Sequence, residues 1–308
     1  MAKLEFHTRK KRLGLLALAS MVLLLVLYVI AVRTPLGQVA GNAAIAGGEG
    51  LGRAELEAGA YLLRWVSLST LAVATVVIVV IGFVRGGIPL AIAALAAIGG
   101  ANVTTQVLKR YVLDRPALMG VEDPFGSHNS FPSGHGTITM VLLLALFMVL
   151  SERVNVWLAI GGWLFVSLTG AAMIEQGWHR PSDAIAGYLV ATAAASVASI
   201  FAIWAARKWV STNPRAQLFD DPSKGLWRLG LPVAIVLTAI GAASMLYAVA
   251  DRGWVDLTPA DLEISFALAT VVVSASAALL ITAFLAALDG LDLAAPGWMP
   301  GLRRQGDQ

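Results

Sequence analysis

Eight long apolar stretches dominate the sequence of this 308-residue chain. Each has about the 20 mostly apolar residues that a transmembrane helix needs. They lie at 13–32, 62–84, 88–108, 135–152, 156–176, 184–206, 229–250 and 264–288. Only 13% of the residues are charged, whereas a soluble domain has about 25%. The sequence therefore predicts an all-α fold, a polytopic membrane helix bundle.

The basic residues predict how this bundle is oriented. A cluster of five precedes the first stretch: Lys3, Arg9, Lys10, Lys11 and Arg12. The positive-inside rule places the N-terminus in the cytoplasm. Eight spans then return the C-terminus, with Arg303 and Arg304, to the same side of a plasma (inner) membrane. The first stretch is longer than the apolar core of a signal peptide, about 7–15 residues, and this favours a retained anchor.

Two connecting stretches divide the chain into parts. Residues 33–61 are rich in Gly and Ala and are expected to form an outer loop with a short helix. Residues 207–228 contain two prolines and mixed charges, which predict a cytoplasmic linker. Residues 1–206 are accordingly predicted to form a six-helix core. Residues 229–308 would add about two C-terminal transmembrane helices and a short cytoplasmic tail.

The composition also excludes several kinds of site. A formal net charge of +3 is too small to indicate a nucleic-acid partner, and the absence of Cys excludes a thiol nucleophile or a cysteine-based metal site. There is no glycine-rich nucleotide loop and no H-E-x-x-H motif. Neither a metal site nor a cofactor is predicted. The expected surroundings are membrane lipids, and the oligomeric state is left open.

Polar residues gather in three clusters at the predicted outer face. The first, 109–116, follows the third span; the second, 131–135, opens the fourth; the third, 178–183, opens the sixth. Taken singly, each cluster also suits a structural role as an interfacial anchor, a helix start or a helix-end ion pair. Because all three fall on one face, a shared phosphate site is the favoured interpretation.

The residue types in these clusters suit phosphoryl transfer. Lysine and arginine bind phosphate by charge. A helix that starts at Ser133 and Gly134 offers free backbone N–H groups to an anion. His179 and Asp183 are four residues apart, so the carboxylate can orient the imidazole. With His135 in the second cluster, one histidine can act as nucleophile and the other as acid without a metal.

The clusters resemble the motifs of the type 2 phosphatidic acid phosphatase superfamily over about residues 100–200. Pro-Ser-Gly-His at 132–135 is the complete second motif, and His179 with Asp183 forms the His-x-x-x-Asp of the third. The resemblance implies a six-helix, phosphatase-like membrane core. It further implies a metal-independent enzyme that hydrolyses a lipid phosphate or an isoprenoid diphosphate.

The resemblance assigns a role to each candidate residue. His179 would attack phosphorus and form a phosphohistidine, Asp183 would hold His179 in its reactive tautomer, and His135 would protonate the leaving oxygen and later activate water. A cradle for the phosphoryl oxygens would comprise Lys109, Arg115, Ser133 and the Gly134 backbone, with Arg110 and Arg180 as further candidates.

Two positions depart from the family pattern. The first motif, from Lys109 to Arg115, is one residue shorter than usual, a change that the loop or Arg110 can absorb. Met173 stands where the third motif has arginine, and Ala172 replaces the preceding serine. Loss of one such electrostatic donor typically lowers the rate by about 10²–10³. Two alternatives therefore stay open: a phosphotransferase that passes the phosphoryl group to an alcohol, and a catalytically impaired protein that binds or transports lipid phosphates.

Overall fold

The computed structural model describes residues 2–118, 129–151, 154–205 and 257–288, together with positions 236, 239–241 and 243. Over these residues the chain is helical and has no strand, which confirms the predicted all-α class. The helices are α1 (Ala2–Val32), α2 (Pro35–Glu49), α3 (Arg53–Trp65), α4 (Leu68–Val107), α5 (Gly134–Leu150), α6 (Val156–Glu175), α7 (Pro181–Ala205) and α8 (Pro259–Leu288). A π-helical turn, Leu108–Val112, extends α4.

Seven of the eight predicted spans correspond to described helices. Five helices are long and apolar enough to cross a membrane, and α5 is a shorter apolar helix. Two predicted spans, 62–84 and 88–108, fall together in α4, which begins at 68 because residues 62–65 belong to α3. The predicted linker at 207–228 and nearly all of the predicted span at 229–250 lie outside the described residues.

Helix α4 consists of two halves that fold back on each other at Gly87. This glycine has φ 66° and ψ −161°, a backbone conformation that favours glycine. A Cβ atom built on Gly82 would lie 3.3 Å from the Cα of Ala91, although nine residues of straight helix would span about 13 Å. Pro89 fits the first turn of the second half, since its missing N–H needs no partner there. The two halves are therefore the second and third predicted spans.

The segment predicted as an outer loop is mostly helical. It contains α2, which begins at Pro35 after the N-cap Thr34, and most of α3. Helix α2 is buried along most of its length and packs against α1, α6, α7 and α8. Helix α3 is largely exposed and contacts α6. The expectation of one short helix was therefore wrong: Gly and Ala allow α2 to pack closely as a small-residue helix.

Helix α7 lies at the centre and sets the position of α5. It contacts α1, α4, α5 and α8. A Cβ on Gly187 would lie 2.7 Å from the carbonyl oxygen of Ser133 and 2.8 Å from the amide nitrogen of Thr137. A Cβ on Gly136 would lie 3.1 Å from the carbonyl oxygen of Ala184. The two backbones are therefore in direct contact where both helices begin.

One end of the bundle collects the polar clusters. The ends of α1, α4 and α6 meet the beginnings of α5, α7 and α8 there, and α2 covers part of this end. Gly47 and Gly48 of α2 approach Leu262 at the start of α8 and Glu175 at the end of α6, respectively. We call this end the site end.

Exposed aromatic side chains mark both ends of the bundle. Trp65, Tyr111 and Trp178 are exposed at the site end, whereas Trp157 and Trp204 are exposed at the opposite end. Tryptophan and tyrosine concentrate at membrane–water interfaces. The site end is therefore expected to lie at the depth of the lipid headgroups.

Candidate active site

The three polar clusters meet at the site end through hydrogen bonds to backbone carbonyl groups. The amide nitrogen of the Asn129 side chain donates to the carbonyl oxygens of Lys109 at 3.1 Å and Leu113 at 2.6 Å. The N–H of Ser133 donates to the carbonyl oxygen of Asp183 at 2.8 Å. Asn129, two residues before the second cluster, thereby connects it to the first cluster, and Ser133 connects the second cluster to the third.

The two histidines face each other. The ring centroids of His135 and His179 are 6.2 Å apart with an interplanar angle of 64°. His179 is buried, with 9% of its surface exposed. The indole of Trp178 lies against His135 with a centroid separation of 5.5 Å. Two imidazoles at this separation can act on the same phosphoryl group.

The end of α6 presents His179 to the site. Gly177 has φ 69°, the left-handed conformation that commonly ends a helix. The N–H groups of Trp178 and His179 both donate to the carbonyl oxygen of Met173, at 3.0 and 3.2 Å. Pro181 then starts α7, where proline is well suited to the first helical position. The nucleophile candidate is therefore held in a short turn between two helices.

Asp183 is fully buried and has several polar neighbours. Its Oδ1 accepts from the Nη2 of Arg115 at 2.9 Å, and its Oδ2 accepts from the hydroxyl of Ser130 at 2.6 Å and from the N–H of Arg180 at 3.1 Å. The Nδ1 of His179 lies 3.6 Å from Oδ2, which exceeds hydrogen-bond distance. The predicted His–Asp pair is thus brought together, and a small shift would make the bond.

The predicted phosphate residues occupy different surroundings. Ser133 caps α5, because its hydroxyl accepts from the N–H of Gly136 at 3.1 Å. Gly134 is the first residue of that helix. Lys109 is partly buried in the π-helical turn, and Arg110 of the same turn is exposed.

The two other arginines of the predicted cradle contact protein groups. Arg115 lies against Asp183 in a buried ion pair. The Nε of Arg180 donates to the side-chain oxygen of Asn42 on α2 at 2.8 Å. Their assignment to the phosphate site therefore stays a prediction.

Met173 is fully buried beside the second cluster. The hydroxyl of Ser133 donates to its Sδ at 3.5 Å. The position where the family pattern has arginine therefore faces the candidate phosphate site, with a neutral side chain in place.

Three site residues carry no motif that could have identified them. Ser130 and Asn129 directly precede the second cluster, and this proximity was the available signal. Asn42 lies in the stretch predicted as an outer loop, and the sequence offers no signal for it. Among the described residues, no group of three or more His, Asp or Glu side chains is arranged to hold a metal ion.

A comparison with known protein families agrees with the motifs. Residues 90–208 match the PAP2 superfamily, which confirms the resemblance to type 2 phosphatidic acid phosphatases for the segment that holds all three clusters.

One solved structure is similar to this chain. It is the transmembrane PAP2 type phosphatidylglycerolphosphate phosphatase from Bacillus subtilis, with 18% sequence identity and a TM-score of 0.49. The similarity covers 59% of this chain and 93% of that one. No curated protein matches this sequence.

Proposed function

We propose that this protein is a membrane phosphatase that hydrolyses a lipid phosphate or an isoprenoid diphosphate through a phosphohistidine intermediate at the outer membrane face. One observation carries the proposal: the imidazoles of His135 and His179 face each other at 6.2 Å, with the carboxylate of Asp183 beside His179. Two histidines so arranged provide a nucleophile and a separate acid.

In the first step, His179 attacks phosphorus from the side opposite the leaving oxygen. A P–N bond forms and the P–O bond to the leaving group breaks, while protonated His135 gives its proton to the departing oxygen. The leaving group is the lipid alcohol of a monophosphate or the lipid monophosphate of a diphosphate. Asp183 stabilises the positive charge that develops on the imidazole of His179, since its Oδ2 lies 3.6 Å from Nδ1.

In the second step, water completes the hydrolysis. His135, now neutral, takes a proton from water, which attacks phosphorus. The P–N bond breaks, inorganic phosphate leaves and His179 is regenerated. Lys109 and the backbone N–H groups at the start of α5 are suited to hold the phosphoryl oxygens, because both the ammonium and the helix N-terminus attract anions.

An apolar groove in the middle part of the bundle supports a lipid as substrate. It lies between α1, α4 and α7 and has a volume of about 630 Å³. Its lining is mostly apolar and includes Met21, Gly100, Val190 and the polar Thr104. Thr104 is five residues before Lys109 on the same helix, so the groove begins about one and a half turns from the cationic residue. A hydrocarbon chain in this groove would leave its phosphate at the site end, at the depth marked by the exposed aromatic side chains.

Phosphate release by the detergent-purified protein tests the proposal. We expect turnover across a panel of lipid phosphates and diphosphates, with His179→Ala inactive and unable to form a trapped phosphoenzyme. Asp183→Asn should lower kcat strongly while lipid binding stays close to that of the wild type, because its help is felt mainly in the transition state. A phosphoenzyme in His179→Ala would refute the assigned nucleophile.

A second function is favoured by Met173. A buried, neutral thioether against the hydroxyl of Ser133 suits a protein that binds lipid phosphates with little turnover. Binding of a lipid phosphate without release of phosphate would support this alternative. Phosphate transfer to an added alcohol, in place of release to water, would support a phosphotransferase.

A further inference from the structure

A helix outside the family segment contacts the turn that holds His179. Helix α2 ends at Glu49, far before the matched residues 90–208. It nevertheless packs against α7 at the site end. The side chain of Arg180, the residue directly after the predicted nucleophile and directly before α7, also contacts α2.

The side chain of Arg180 lies flat across α2. A Cβ atom on Gly41 would lie 3.1 Å from the Cδ of Arg180 and 3.3 Å from its Cγ, so the helix offers its bare backbone there. The next residue, Asn42, accepts a hydrogen bond from the Nε of Arg180 at 2.8 Å. Both side chains are almost completely buried, at 3% exposure for Arg180 and 5% for Asn42. A buried hydrogen bond to a charged donor is among the stronger ones.

The backbone of Arg180 joins the two members of the catalytic pair. Its N–H donates to the Oδ2 of Asp183 at 3.1 Å, and its carbonyl oxygen accepts from the N–H of Asp183 at 3.0 Å. His179 precedes it in the chain. A displacement of Arg180 would therefore change the distance between the imidazole of His179 and the carboxylate of Asp183.

We propose that Asn42 is a positioning residue for the phosphohistidine chemistry. By fixing the side chain of Arg180, it keeps the imidazole of His179 at the distance from the carboxylate of Asp183 that the reaction needs. The inference rests on the proposed function. It assigns part of the site to a helix that lies outside the PAP2 segment. It also gives the Arg180 guanidinium a structural partner on α2 through its Nε.

The test compares Asn42→Leu with Asn42→Asp in the full-length protein. Leucine has a similar size and lacks an acceptor, whereas aspartate keeps an oxygen for the Nε of Arg180. We expect Asn42→Leu to lower kcat by about 10- to 100-fold, because small misplacements of reacting groups have effects of this size. KM for the lipid phosphate should change little, and Asn42→Asp should restore most of kcat.

Three measurements separate positioning from a general loss of structure. Thermal unfolding in detergent should show Asn42→Leu to be folded at the assay temperature. Ser265→Ala is the matched control, since Ser265 is buried on α8 and its hydroxyl donates to the carbonyl oxygen of Asp261 in its own helix. In the Arg180→Met background, which has no nitrogen donor, Asn42→Leu should have little further effect, because coupled residues are not additive.

The outcomes are distinct. Wild-type kcat in Asn42→Leu, or an equal loss in Asn42→Leu and Asn42→Asp, would overturn the positioning role while leaving the phosphatase intact. A loss of kcat that only follows the loss of folded protein would also overturn it. If the wild-type protein itself releases no phosphate from any lipid in the panel, the proposed function fails.

Discussion

The guanidinium of Arg115 donates to the carboxylate of Asp183 at 2.9 Å, with 4% of the Arg115 side chain and none of the Asp183 side chain exposed. The pair links the first polar cluster to the third. It also balances the charge of a carboxylate that the proposed chemistry needs ionised. Arg115 is thereby placed to support Asp183, whether or not it also reaches a phosphate.

Breaking this ion pair should destabilise the protein strongly. Removing one partner of a buried pair leaves an uncompensated charge and costs about 3–5 kcal/mol. Arg115→Met should therefore lower the thermal unfolding temperature of the wild-type protein in detergent by a large amount. The same substitution made in the Asp183→Asn variant should lower the unfolding temperature by less. Additive effects of the two substitutions would show that the pair is not coupled in the folded protein.

The proposed role of His135 predicts a dependence on the leaving group. His135→Ala should slow hydrolysis of an alkyl lipid phosphate by about 10²–10⁴, the typical contribution of acid–base catalysis. An aryl phosphate with an activated leaving group needs no proton, so its hydrolysis should fall much less. Steady-state rates on both substrates provide the measurement. Equal losses would contradict the assignment of His135 as the acid.

Met173→Arg should increase activity if the neutral side chain limits the rate. Met173 contacts the hydroxyl of Ser133, so a cation there would lie beside the candidate phosphate site. We expect kcat/KM to rise about tenfold or more and the unfolding temperature to fall, because a charge is buried. Met173→Leu, which nearly conserves volume, is the control. If folded Met173→Arg performs no better than Met173→Leu, the missing arginine is not the limiting factor.

The orientation can be tested with single cysteines, since the chain has none. Thr258 is exposed just before α8 at the site end, and Asn155 is exposed just before α6 at the opposite end. With the site on the outer side, Thr258→Cys should react with an impermeant thiol reagent in intact cells and Asn155→Cys should react only after lysis. The reverse labelling would invert the proposed topology.

Asp114 should make stability depend on acidity. A hydrogen bond from the hydroxyl of Tyr28 lowers the pKa of Asp114, and the positive charge of Arg33 lowers it further. A lowered pKa in the folded state stabilises the protein above the ordinary pKa of aspartate, about 3.9, and this contribution is lost as the pH falls below it. The unfolding temperature should therefore fall less between pH 5 and pH 3 in Asp114→Asn than in the wild type. Identical pH dependence would show that the contact adds no stability.

The sequence predicts the helical class, and it places the candidate site residues on one face, because both inferences depend on local patterns. An apolar stretch of about 20 residues indicates a helix that crosses the bilayer. Because successive spans cross in opposite directions, every second connection lies on the same face of the membrane. This is why clusters around Lys109, His135 and His179 could be assigned to one face before their contacts were known.

What the sequence could not predict depends on packing between distant segments. The Gly- and Ala-rich composition of α2 is typical of a loop as much as of a buried helix, so its contact with Arg180 had no local signature. The partner of Arg115 was equally hidden, because phosphate and carboxylate suit a guanidinium alike. The reversal of α4 at Gly87 depends on tertiary contacts in the same way, since an apolar stretch of this length fits one long helix or two shorter ones.

The exposed aromatic side chains at the two ends of the bundle have a consequence for how rates should be expressed. An active site at the depth of the headgroups meets its lipid substrate by lateral diffusion within the membrane or micelle. The rate therefore does not depend directly on the substrate concentration in bulk solution. It should follow the mole fraction of substrate among the surrounding amphiphiles. Adding inert detergent at constant bulk substrate would then slow the reaction by surface dilution alone, with every residue of the site unchanged.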